Sequence, residues 1–313
     1  MPPCVDCGQE TDRDAMFGPP DELRCRACVR KLEERLAPEP TQDAPTRGPY
    51  ITYAVMLTSV ATTLAFWSKV PVVVDYLPML PRTTIWDGQV WRLFTTCFLH
   101  GDPLHLLFNL YWVWVFGSLL EQWLGPLRYT GLLVLFALGS SAAQFAVEGP
   151  AVGLSGVGFA FFGLFYALRL YKDFAAAVLT PVTVQIWVMW FFVCIALTYA
   201  DVMPVGNTAH GVGAILGWLV GRAVLARHTS AWLGAVTFLV MLLTGAAVYQ
   251  PWSGDYAWHQ GYTLAQRGQY EEALAWYRRA ARTYPEHRDV QDSIRALELK
   301  IEWRDRPRTP QEK

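Results

Sequence analysis

Residues 153–163 read Gly-Leu-Ser-Gly-Val-Gly-Phe-Ala-Phe-Phe-Gly, a glycine-flanked serine that runs straight into an apolar segment. A serine framed by glycines is the usual setting of an exposed nucleophile at a tight turn. The continuation carries no charge before Arg169, which predicts a membrane helix over 155–171. The two readings pull apart, because hydrolysis needs water and a membrane helix excludes it. Which of them holds depends on what the rest of the chain brings to that serine.

Outward from this stretch, residues 50–250 carry long runs with almost no charge, whereas 1–49 and 251–313 are rich in Arg, Asp, Glu, Gln and Pro. An apolar run of about 18 residues crosses about 30 Å of hydrocarbon at about 1.5 Å per residue. Seven such spans are expected, near 50–67, 103–120, 129–147, 155–171, 178–199, 207–224 and 231–249. The fold class is therefore an all-α polytopic membrane protein with two polar appendages. A net charge of −1 over 313 residues gives no field that would favour nucleic acid. The first 49 residues contain no apolar core of a cleavable signal, so the first span is expected to act as an uncleaved one.

Loop charges set an orientation. Arg128, then Arg169 and Lys172, then Arg222 and Arg227 fall on one side with the Arg-rich N-terminus, while loops near 148–153 and 200–206 hold no Lys or Arg. The positive-inside rule puts the N-terminus in the cytoplasm, and seven spans put the C-terminal tail outside. The long connection at 68–102 carries Lys69, Arg82 and Arg92 against this pattern. Its Trp86, Trp91 and Phe98 suggest a loop lying partly in the interface.

Polar residues inside the spans are few and converge. His105 and Asn109 open the second span on one helical face, Ser155 opens the fourth and His210 opens the sixth. Even-numbered spans start on the same side, so all four residues share one depth near the outer leaflet. Singly, each is more often helix packing or interhelical glue. Together they suggest a nucleophile, Ser155, with a general base, His210. Asn109, His105 and the Ser155 backbone N–H are candidate donors to an oxyanion, and Gly153 leaves room for a substrate backbone. Asp102 and Asp201 are loop acids and weak third members, so a dyad is expected. Gly213, Gly217 and Gly221 read as a helix-packing stripe.

The segment Trp91-Arg92-Leu93 through Phe98-Leu99-His100-Gly101-Asp102-Pro103-Leu104-His105-Leu106-Leu107-Phe108-Asn109, the block Gly153-Leu154-Ser155-Gly156, and Ala209-His210-Gly211-Val212-Gly213 resemble the signature blocks of rhomboid intramembrane serine proteases. The likeness covers roughly 50–225. It implies a six-helix bundle with a seventh transmembrane helix, and a Ser155–His210 dyad cleaving transmembrane segments of other proteins. It also implies Asn109 and His105 as oxyanion partners, and structural roles for Trp91-Arg92 and Glu121. One departure is Phe159, where the family often has a tyrosine stacked on the histidine. No cofactor is implied for catalysis.

The appendages read separately. Cys4-Val5-Asp6-Cys7 and Cys25-Arg26-Ala27-Cys28 suit four thiolates around one structural Zn2+ in a zinc-ribbon-like domain at 1–36. Residues 37–49 form a Pro-rich linker to the membrane domain at 50–250. Cys97 and Cys194 are expected to be small buried packing residues. At 254–302, Gly261, Leu264, Gly268, Tyr270, Ala273, Tyr277, Ala280 and Pro285 look like one tetratricopeptide repeat, with a capping helix at 288–302. Expected partners are transmembrane substrates, membrane lipids and proteins docking on either appendage, with no nucleic acid. A zinc ribbon without a transit peptide suits a bacterial plasma membrane. The rival readings are an inactive rhomboid-like protein that binds transmembrane clients, and a transporter. The absence of buried carboxylates and inverted repeats weighs against the transporter.

Overall fold

A computed structural model describes residues 1–18, 22–36, 48–226 and 228–306. Most of the Pro-rich linker (37–47) and Arg227 lie outside the described residues. The chain divides into two units, Met1–Met79 with Val90–Thr244, and Leu80–Gln89 with Gly245–Lys313.

In the first unit, two short strands, β1 (Met16–Phe17) and β2 (Arg24–Cys25), pair antiparallel with Met16 opposite Cys25. Helix α1 (Arg26–Leu36) follows directly. The apolar helices are α2 (Tyr50–Trp67), α6 (Pro103–Trp112) continuing through a π-helical turn into α7 (Ser118–Leu124), α8 (Pro126–Val147), α9 (Ser155–Leu168), α11 (Pro181–Tyr199), α12 (Asn207–Leu225) and α13 (Thr229–Val248). Between them run α3 (Pro71–Tyr76), α5 (Arg92–Thr95) and α10 (Asp173–Val178), while α4 (Thr83–Trp86) belongs to the second unit. Among the described residues, six helices are long and apolar enough to cross a membrane, and α9 is shorter. The molecule is thus an all-α polytopic membrane protein. The fourth expected span is the exception. Its helix has 14 residues, about 21 Å at about 1.5 Å per residue. Nearly all of α9 is buried among other helices, as befits a helix that is apolar all round.

Local chemistry explains the helix starts. Proline occupies the first turn of α3, α6, α8 and α11, where its missing N–H costs nothing. Asp102 caps α6 by accepting the His105 N–H at 2.9 Å. Helix α2 has only Pro49 at its N-cap, and a carboxylate from α7 caps it instead. Glu121 accepts the Ile51 N–H at 2.9 Å, the Thr52 N–H at 2.8 Å and the Thr52 hydroxyl at 2.8 Å.

The core between these helices is aromatic, with Phe116, Tyr129, Phe136, Phe161 and Phe165 fully buried. Helices α9 and α12 approach each other most closely. A Cβ at Gly213 would overlap the Gly156 carbonyl, and one at Gly217 the Ala160 carbonyl. The glycine stripe expected from the sequence is therefore an interface that no larger residue fits.

In the second unit, α14 (Gly254–Gln266), α15 (Tyr270–Thr283) and α16 (Arg288–Asp305) pack in sequence around Ala257, Ala273, Tyr277, Ala280, Val290 and Leu297. Gly261 meets the Tyr277 ring, since a Cβ there would stand 3.0 Å from it. The unit also takes in 80–89 from the long interhelical connection. Trp86 lies edge-on to Tyr256 at 5.4 Å, Asp87 pairs with His259 at 3.0 Å and Arg82 with Asp255 at 2.7 Å. One of the aromatics expected at the membrane interface is therefore packed against the tail.

Candidate active site

Ser155 begins α9 and His210 lies in the first turn of α12, so the glycine-tight packing of these two helices sets their separation. Nε2 of His210 stands 2.8 Å from Oγ of Ser155. The imidazole is buried, and the Phe159 ring stacks on it at 4.5 Å and 24°. Phe159 is in turn fixed edge-on by Trp187 at 4.7 Å. No group among the described residues bonds Nδ1 of His210. Asp102 is engaged in capping α6, so the pair stands without a third member.

The loop before Ser155 is held by its neighbours. Gly153 has φ +116°, a conformation that side chains resist, and a Cβ there would lie 2.6 Å from Nε2 of His105. The Gly153 N–H donates to the Thr96 carbonyl at 3.3 Å, and the Thr96 hydroxyl to the Ala151 carbonyl at 2.7 Å. Asn109 is buried one turn beyond His105. Its amide donates to the His105 carbonyl at 2.8 Å, which commits one of its two N–H groups and leaves the other for a ligand.

Ser155, His210, His105 and Asn109 all line one cavity of about 910 Å³, with Gly153, Gln144 and Trp190. The four polar residues expected at one depth are thus brought together. Cys194 also borders the cavity, whereas Cys97 is buried against Ser141 at 3.4 Å, and both are enclosed as small packing residues are.

Sequence reasoning missed three supporting residues. His100 is fully buried, and its Nε2 accepts the Leu154 N–H at 3.4 Å. Burial, with His105 beside it, pushes the His100 imidazole down to about 3, so it stays neutral. With Nε2 accepting, Nδ1–H donates to Thr63 Oγ1 at 3.3 Å, and that hydroxyl donates on to the Phe98 carbonyl at 3.1 Å. His100 thus ties α2 to the residue preceding Ser155, and its ring packs on His105 at 4.9 Å. Gln144 and Glu148 do the equivalent for His210. Helix α12 has no side-chain cap of its own at Gly206, and Gln144 Oε1 accepts the Ala209 N–H at 3.1 Å. Glu148 orients that amide at 3.0 Å and accepts the Thr208 hydroxyl at 2.7 Å. Only the presence of a polar side chain in an apolar span could have pointed to Gln144; Glu148, at a helix end, carries no such signal.

Away from the cavity, the thiols of Cys4, Cys7, Cys25 and Cys28 all lie within 4.8 Å of one another. The Cys7–Cys25 sulfur separation is 3.8 Å, about the tetrahedral edge for zinc–sulfur bonds of about 2.3 Å. The Cys25 N–H donates to Sγ of Cys4 at 3.3 Å. Burial pushes the Cys4 thiol up, but N–H donors from Cys25, Asp6 and Cys7 outweigh it and bring it down to about 6. Burial and its three neighbours push Cys28 up. This donor set fits a thiophilic divalent cation.

A family model described as the Rhomboid domain matches residues 87–227. The Rhomboid protease GlpG of Haemophilus influenzae is 32% identical over 150 residues, covering 47% of this chain and 76% of that protein. The proteins of the same name from Salmonella paratyphi A and Salmonella typhi are 31% identical over 175 residues, covering 54% of this chain. The chain spans 61% of the length of those Salmonella relatives. The matched region contains Asn109, Ser155 and His210 and excludes the cysteine cluster and the tail helices. Sequence and architecture agree, and the chain belongs to the rhomboid family.

Proposed function

We propose that the protein is an intramembrane serine endopeptidase that hydrolyses peptide bonds in or near transmembrane segments of other membrane proteins. The observation that carries this reading is the 2.8 Å contact between Ser155 Oγ and His210 Nε2 at the wall of a cavity that His105, Asn109 and Gln144 also line. His210 takes the hydroxyl proton as Oγ attacks the scissile carbonyl. The developing oxyanion is met by the Ser155 backbone N–H, the free amide proton of Asn109 and the His105 imidazole. His210 then passes its proton to the leaving amine, and water attacks the acyl-enzyme with His210 again as base. The substrate helix must unwind to present its carbonyl, so small or helix-breaking residues near the bond favour cleavage.

The cavity answers the question raised by the glycine-flanked serine. Ser155 stands at the start of a short buried helix, at the wall of a space large enough for water. Support for the placement of the termini, cytoplasmic for the N-terminus and outside for the tail, comes from loop charge. A bacterial plasma membrane suits both this and the bacterial relatives. At the N-terminus, Cys4, Cys7, Cys25 and Cys28 would hold a structural Zn2+ whose role is to order a segment too small to fold on its own core. The tail helices, read as a tetratricopeptide-like unit at 254–302, and the N-terminal segment are the places for protein partners.

The test is labelling of the purified protein by a fluorophosphonate serine probe. Wild type is expected to label, and Ser155→Ala and His210→Ala are not. A folded wild type that resists the probe in detergent and in lipid would move the assignment to an inactive relative that binds transmembrane clients.

A further inference from the structure

The cysteine cluster is seated on the membrane helices, and the seat is specific. Arg24 immediately precedes Cys25, and its side chain is 8% exposed. Its Nε donates to Asp6 at 2.9 Å, between the first pair of cysteines. Its other face reaches the residues at the end of α9. The guanidinium donates to the Tyr171 hydroxyl at 3.2 Å and lies over the Tyr171 ring at 5.6 Å. Glu22, two residues before Arg24, pairs with Arg222. Leu32 of α1 is buried in the same apolar cluster as Leu168, Tyr171 and Leu225.

The two anchors have particular addresses. Tyr171 follows the end of α9, whose first residue is Ser155, and Arg222 lies in the last turn of α12, which carries His210 in its first turn. At about 1.5 Å per residue the anchors are about 24 Å and 18 Å along the chain from the two site residues. Between anchor and site the helices interlock through Gly213 and Gly217, with no slack in which a displacement could be absorbed. A segment that grips both far ends therefore acts on the relative position of both near ends.

We infer that the four-cysteine site is a metal-dependent clamp on the far ends of α9 and α12, so that metal loading sets the alignment of Ser155 and His210. A small segment of this kind holds its shape only with its metal. Metal loss releases Arg24 from Tyr171 and Glu22 from Arg222, and the two helices then lose a shared restraint at the end remote from the chemistry. The activity part of this inference rests on the protease reading, but the restraint itself does not.

The experiment uses the full chain, loaded with Co2+ to report tetrahedral thiolate ligation by its charge-transfer absorption, and then stripped with a chelator. Amide exchange is followed at 166–172 and 219–226, and probe labelling at Ser155. Stripping is expected to raise exchange in both segments and to slow labelling about fivefold or more, the low end of coupling between linked sites. Arg222→Gln leaves the ligands untouched. It is expected to keep the cobalt absorption, reproduce both changes in part, and blunt the further effect of stripping, since both act through one contact. Exchange that rises only within 1–36 on stripping, or effects of Arg222→Gln and stripping that simply add, would overturn the clamp. A wild type that never labels refutes the protease reading, and the exchange measurements then still decide the clamp.

Discussion

Gly153→Ala tests whether the loop before Ser155 is built as described. The residue has φ +116°, and a Cβ there would lie 2.6 Å from Nε2 and 2.7 Å from Cε1 of His105. Holding an alanine in that backbone region costs about 1–3 kcal/mol. The overlap with His105 adds a second cost, which the ring can escape only by moving, and it is already packed on His100 at 4.9 Å. Thermal unfolding in detergent is expected to lose about 2–4 kcal/mol in total. Labelling at Ser155 is expected to fall further than stability does, because a displacement of about 1 Å near reacting atoms costs about a hundredfold. His105→Ala separates the two costs: in the double variant the overlap is gone and the backbone strain stays, so stability recovers in part. Full recovery would refute the strain argument, no recovery would refute the contact with His105, and a Gly153→Ala protein as stable and reactive as wild type would refute both.

Other expectations follow from the same geometry. Glu121→Ala leaves two amides of α2 without acceptors, so unfolding should cost about 3 kcal/mol less, read as a lower melting temperature. Phe159→Ala removes the ring stacked on His210 at 4.5 Å. Labelling should slow by up to about tenfold while the fold survives, the stack being worth about 0.5–1.5 kcal/mol, and Phe159→Tyr should keep the rate.

Much of this molecule is legible in one dimension. Transmembrane helices announce themselves by local hydropathy, so the order of the apolar segments and the entry of Ser155 and His210 at helix starts follow from residues close together in the chain. The same locality gives the paired CxxC spacing and the Gly213–Gly217 stripe, since each pattern repeats within a few residues. Glycine at 153 could be seen as permissive, though not that His105 fills the space its missing side chain leaves.

Contacts between distant segments left no such trace. The Ser155–His210 bond joins residues 55 positions apart, and its length is decided by how closely two glycine-lined helices pack. Helix α9 is short because it is enclosed by protein, a property of its neighbours and not of its own apolar sequence. His100, Gln144 and Glu148 hold the site through single hydrogen bonds to backbone groups, which impose no periodicity on the sequence around them. The packing of 80–89 with the tail helices, and of Arg24 and Glu22 against Tyr171 and Arg222, is likewise invisible to composition. Sequence determined which segments enter the membrane and which side chains were available for chemistry. Tertiary structure alone decided which of them meet, because hydropathy fixes where a helix goes while side-chain packing fixes what it touches.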